Sequence, residues 1–204
     1  MNKRTKAVAC SVLMCVTSAF AGTTTDDMTP ASMTCHQTPI QLVQPASHEG
    51  EMITHMQLVN EQFKPEAIAG AQSGYQFIAT TSSVFTPTGV KEIQKLNTYA
   101  RMWSNLSFYA VTRDLPYALS YFAKTHDVSH VTLLSNYQNM QFGKAFGTTI
   151  THLKDNAYNG LNANAIFVMQ PDGRMAHRQF VDEMTDQYNY DQLAATLRKM
   201  FNRA

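Results

Sequence analysis

The stretch SSVFTPTGVKEIQKLN, residues 82–97, decides how the chain is read. It follows a short apolar run at 75–80 that suits a buried central strand. Thr86 stands where it can N-cap a helix. Pro87 then falls at the first helical position, where its fixed φ is pre-organised and its missing N–H costs nothing. Val90, Ile93, Leu96, Ala100 and Trp103 recur at helical spacing on one face, with Lys91, Glu92 and Lys95 on the other. Strand, short loop and helix N-terminus make a junction at which enzymes place reactive groups. This junction offers threonines, a proline and a glycine, but no cysteine.

Outward from that junction the chain alternates strands and helices. Residues 36–43 and 52–59 read as N-terminal strands, joined as a hairpin around 45–50. Residues 106–112 read as a strand, then Asp114 caps a helix with Pro116 in its first turn, running to about residue 124. A strand at 130–135 precedes a helix at 140–146, with Gly147 where a C′ residue is expected. Runs at 163–170 and 174–181 form a hairpin closed by Pro171-Asp172-Gly173. An amphipathic helix from about Tyr190 presents Leu193, Leu197, Met200 and Phe201. This order predicts an α/β fold whose helices cover both faces of a buried sheet, with no second domain and no repeat.

Residues 1–21 belong outside fold reasoning. Lys3, Arg4 and Lys6 precede an apolar run that ends in Ala19-Phe20-Ala21, the pattern of a cleavable secretory signal. The run is too short to span a bilayer comfortably, and Met14 before Cys15 argues against a lipid-anchored cysteine. The expectation is export across a bacterial inner membrane to the periplasm or beyond, with no membrane span after cleavage. Residues 22–33 read as a flexible lead-in, and 34–204 as one domain. The segment holds three of the 16 basic residues and none of the 15 acidic ones, so the remainder carries 13 against 15, a net charge of −2. No basic stripe suggests nucleic acid as a partner.

Removing 1–21 leaves Cys35 as the sole cysteine, which excludes an internal disulfide. Cys35 reads either as a small buried side chain or as a reactive thiol open to intermolecular pairing. In an extended strand, adjacent His36 points to the opposite face. His126 and His130 are four apart, but they fall at a helix end and loop, so they read as surface histidines and no metal site is expected. Met102, Met140, Met169 and Met200 sit in or beside apolar stretches and read as core filler.

Two further stretches, RDLPYALSYFA (113–123) and HVTLLSNYQNMQFGKAFGTTI (130–150), resemble the bacterial thiol peroxidases, the atypical two-cysteine branch of the peroxiredoxins. NAIFVMQPDGRMAHRQFVDEMT (164–185) and the closing helix agree, and CHQTPIQL resembles the family's opening hairpin. The resemblance runs from about Thr34 to the C-terminus, with one short insertion near 154–159. It implies a thioredoxin-like three-layer α/β/α sandwich with a central mixed sheet and an N-terminal β-hairpin, no cofactor, and a homodimer. The family's nucleophile pattern, Pro-x-x-x-Thr-x-x-Cys, here reads Ser82-x-x-x-Thr86-x-x-Gly89. Gly89 therefore stands at the peroxidatic position, Ala123 at the resolving position, and Gln138 where the family has an arginine.

Peroxide reduction needs a thiolate to attack the O–O bond, and a threonine hydroxyl does not cycle through a sulfenic acid. The sequence therefore predicts a catalytically retired site at Thr86, Gly89, Ala123 and Gln138, in a protein that binds a periplasmic partner or a small ligand. One form of that expectation is an anion site over Thr86, Thr88 and Gly89, where a helix N-terminus offers amides and a glycine leaves space. The alternative is a thiol-dependent peroxidase working through Cys35.

Overall fold

The computed structural model describes residues 33–45, 47–153 and 157–201. In chain order the strands are β1 (Thr34–Cys35), β2 (Thr38–Pro39), β3 (Gln41–Leu42), β4 (Met56–Asn60), β5 (Pro65–Ile68), β6 (Tyr75–Thr80), β7 (Leu106–Thr112), β8 (Thr132–Ser135), β9 (Ile150–His152), β10 (Ala165–Met169) and β11 (Met175–Phe180). The helices are α1 (Pro87–Ala100), α2 (Pro116–Thr125), α3 (Met140–Phe146) and α4 (Tyr190–Phe201). Seven strands form a mixed sheet in the order β11-β10-β6-β7-β8-β4-β5. The three central strands run parallel, and those on either flank are antiparallel to their neighbours.

The central strands are apolar on both faces because both faces are covered. Phe77 of β6 stacks on Phe108 of β7 at 4.8 Å, and Phe108 meets Tyr99 of α1. Tyr99 in turn meets Tyr190 of α4, so α1 and α4 share that face. On the opposite face Phe167 of β10 meets Phe146 of α3 at 4.8 Å. Each fully buried phenylalanine contributes about 1.5–3 kcal/mol, and Phe77, Phe122, Phe142, Phe146 and Phe167 are all of this kind. Among the described residues no helix is long and apolar enough to cross a membrane.

Several expectations need correction. The first hairpin turns at His36 and Gln37, not around 45–50, and pairs Cys35 with Thr38. Both turn residues have positive φ, 50° and 65°, a two-residue turn that ordinarily favours Asn-Gly. A carboxylate from the far end of the chain compensates. Glu183 accepts from the amides of His36 (2.9 Å) and Gln37 (3.1 Å) and from the Thr34 hydroxyl (2.7 Å). A second hairpin pairs β4 with β5, whose strand begins at Pro65, a position where an edge strand tolerates proline. β3 pairs with β9.

Glu92, expected on the polar face of α1, is 1% exposed. Tyr190 of α4 donates to its carboxylate at 3.0 Å, and burial raises its pKa despite that bond. Two of the methionines assigned to the core, Met102 and Met140, are exposed, whereas Met169 is buried and Met200 packs against the core. Residues 1–32 and 154–156 lie outside the described residues, so the signal, almost all of the lead-in and half of the insertion are not described. Met33, placed at the end of the lead-in, is buried, and the Thr34 amide beside it donates to the Asp182 carbonyl at 2.8 Å.

Candidate functional site

The carboxyl ends of β6 and β7 lie side by side, and the loops that leave them build the site. The first loop feeds α1 as read from sequence. Thr86 caps the helix, accepting from the Gly89 amide at 2.9 Å, and Pro87 follows it. The second loop carries Asp114, which does not cap α2. The residue before α2 is Leu115, which gives no side-chain cap. The Asp114 carboxylate is engaged across the cleft instead. It accepts from the Val84 amide and the Ser83 hydroxyl, each at 2.8 Å, and from the Thr112 hydroxyl at 3.0 Å. Three donors on one carboxylate fix the loop before α1, with Val84 fully buried beneath it.

This fixing decides what position 89 can hold. The Ser83 carbonyl points into the first turn of α1, where it accepts from the Thr86 hydroxyl at 3.1 Å. A Cβ built on Gly89 would overlap that carbonyl oxygen and meet Thr86 Oγ1 at 2.9 Å. Glycine is therefore what this loop conformation admits. The expectation of open space above Gly89 is corrected: Ser83 occupies that volume, and the Gly89 amide is already bonded to Thr86.

Open space lies beside it. A cavity of about 140 Å³ is lined by Cys35, His36, Ser82, Thr86, Pro87, Thr88, Tyr158, Met184 and Thr185. The structure brings the Cys35 hairpin against the start of α1. His36 lines the same cavity as Cys35, because the chain turns at His36 and the strict alternation of an extended strand ends there. Tyr158 reaches the cavity from the insertion near 154–159. Thr88 ties α1 to the segment after β11 by donating to the Thr185 carbonyl at 3.4 Å.

The electrostatics around the thiol oppose ionisation. Cys35 is 3% exposed. Burial pushes its pKa up, and the Glu183 carboxylate adds to the rise. Partial burial raises Glu183 as well, but its donors outweigh that: Gln37 N–H, the Thr34 hydroxyl, His36 N–H and Thr185 N–H pull it down to about 2. A permanent negative charge thus sits beside the thiol.

The other predicted site residues do not join this cavity. Ala123 packs against the core in α2, and Gln138 is exposed in the turn before α3. His126 ends α2 with its ring stacked on Phe122 at 4.1 Å, and His130 is exposed after the chain breaks at Asp127, φ 50°. The residues missed from sequence are Asp114, Ser83 and Glu183 in their actual roles. The Ser83 and Val84 donors of Asp114 lie about 30 positions away and the hairpin donors of Glu183 more than 140, so no local pattern signals these contacts.

No protein-family model matches the chain. It is 26% identical over 162 residues to a thiol peroxidase of Aquifex aeolicus, an alignment covering 79% of this chain and 94% of that protein. It is 30% identical over 140 residues to a thiol peroxidase of Vibrio cholerae serotype O1, covering 69% of this chain and 79% of the other. Among solved structures it superposes on a peroxiredoxin-like protein from Aquifex aeolicus with a TM-score of 0.78 at 25% identity, covering 83% of this chain and 97% of that one. A thiol peroxidase from Chromobacterium violaceum shares the fold, with a TM-score of 0.76 at 18% identity over 85% and 98% of the two chains.

Proposed function

We propose that this chain, which belongs to the bacterial thiol peroxidase family, does not turn over peroxide and acts by binding a small ligand or a protein partner. One observation carries this reading: the Ser83 carbonyl occupies the volume into which a nucleophile at position 89 would project. With Gly89 at the family's peroxidatic position, Ala123 at the resolving position and Gln138 in place of the arginine, neither cysteine nor the arginine stands where the family keeps it, and Thr86 alone is retained of the nucleophile pattern. The ligand site in this reading is the cavity beside α1, with the Thr86 and Thr88 hydroxyls as its polar wall and Met184 and Pro87 as its apolar one.

A second reading keeps peroxidase activity and assigns it to Cys35. Its support is location, since the thiol lines a cavity at a helix N-terminus. Against it stand the raised pKa and the neighbouring Glu183 carboxylate, because the thiolate is the attacking species. Hydrogen peroxide and organic hydroperoxide consumption, with thiol reductant, by the mature protein and its Cys35→Ala variant separates the two. Background rates in both support the binding reading. Turnover abolished by the substitution supports the second.

The same proposal places the mature protein, after removal of residues 1–21, in the periplasm or outside the cell as a homodimer. The exposed apolar side chains Phe63, Phe85, Leu115, Tyr117, Tyr121 and Met140 are the face on which a second copy would sit. Sedimentation of the mature protein tests the dimer, and N-terminal sequencing of the exported chain tests the cleavage.

A further inference from the structure

The segment MITHM, residues 52–56, leads into β4. Met52, His55 and Met56 line one open cavity of about 320 Å³ between the chain entering β4 and the helix α3. Met52 is 58% exposed at the mouth, and Met56 forms the buried wall at 8%. Among the described residues no hydrogen bond engages the His55 imidazole.

The backbone that carries these side chains is braced. On one side of Met52 the Glu51 carbonyl accepts from Met175 N–H at 2.9 Å, and on the other Ile53 N–H donates to the Gly173 carbonyl at 3.0 Å. Met56 is held in the β4–β5 ladder opposite Ile68. Gly70 admits the close approach of His55, since a Cβ there would meet the His55 Cβ at 2.5 Å. Donors on a fixed backbone lose less freedom when they close on a ligand.

We propose that Met52, His55 and Met56 form a binding site for a soft monovalent d¹⁰ cation, copper(I) or its analogue silver(I). The donor chemistry makes the choice. Two thioethers and an imidazole select copper(I), whereas calcium, magnesium and manganese require carboxylate or carbonyl oxygen. No acidic side chain lines this cavity; its remaining polar groups are Ser47, Thr54 and Gln141. Zinc favours cysteine, histidine and carboxylate, and among the described residues no group of three such side chains could hold it.

The test uses the mature chain carrying Cys35→Ser, so that the thiol does not compete. Copper(I) is titrated against a chromophoric bicinchoninate competitor, and silver(I) is followed through the ¹³C-methyl resonances of the methionines. The expected result is one equivalent bound, with the Met52 and Met56 methyl signals moving together. Met52→Leu and His55→Ala should each weaken binding at least tenfold, and excess zinc or magnesium should not displace the ion. Both variants alter exposed side chains, and an unchanged melting temperature establishes that they fold. Failure to hold copper(I) against the competitor overturns the proposal. So does unchanged affinity in the Met52→Leu/His55→Ala double variant, or movement confined to other methionines.

Discussion

Gly89 and Cys35 lie close to the same helix terminus and fail as reaction centres for opposite reasons. Gly89 has the family's position, at the first turn of α1, but no side chain and no room for one, because the Ser83 carbonyl fills the space. Cys35 has a sulfur and an adjoining cavity, but burial and the Glu183 carboxylate hold it as a thiol. One region keeps the address without the chemistry, and the other keeps the atom without the activation. A thiol peroxidase needs both at one point.

Asp114 holds the loop over Gly89. Asp114→Ala leaves the Val84 amide and two hydroxyls without their acceptor. Each unsatisfied partly buried donor costs about 1–3 kcal/mol, so the variant should lose about 3 kcal/mol or more in a urea denaturation. Protection of the Val84 amide against hydrogen exchange should fall with it. Gly89→Cys tests the same loop from the helix side. Its Cβ overlaps the Ser83 carbonyl, and such overpacking costs about 1–3 kcal/mol. A drop of about 2–10 °C in melting temperature is expected, and an unchanged melting temperature would show that the loop yields freely.

The state of the Cys35 thiol is read from its reactivity. The native thiol should react with iodoacetamide at pH 7.5 at least tenfold more slowly than the urea-unfolded chain, as read by mass spectrometry, because burial and Glu183 both raise its pKa. Equal rates would return Cys35 to consideration as a nucleophile. The smallest effect expected belongs to Glu183. Its folded pKa of about 2 lies below its unfolded value near 4.3. Its stabilisation is therefore fully present above about pH 4.5 and is lost as pH falls toward 2. Glu183→Gln should flatten the acid limb of stability against pH in that window, and an identical limb in both proteins would contradict the role given to the carboxylate.

Much of the architecture was legible because it follows local rules. The Thr86-Pro87 helix start, the Gly147 helix end and the Pro171–Gly173 turn each carry their mechanism within four residues, and each appears as read. The misreadings share a cause. Asp114 followed a capping pattern, but its partners lie across the cleft. His36-Gln37 carries no turn signal, because the groups that stabilise the turn sit near position 183. Glu92 matched a polar stripe until α4 covered it. The family position of Gly89 was readable from motif spacing, whereas the occupation of its space by Ser83 depends on a backbone path that no side-chain pattern encodes.

The most direct test of the closed loop is hydroperoxide consumption by the Gly89→Cys variant with thiol reductant, measured beside the parent protein. Restoring the sulfur should restore nothing, with both proteins at the background rate, because the Ser83 carbonyl and Gln138 leave the thiol displaced and without its positive partner. Turnover appearing with the new cysteine would contradict it and show that the site had lost only a side chain.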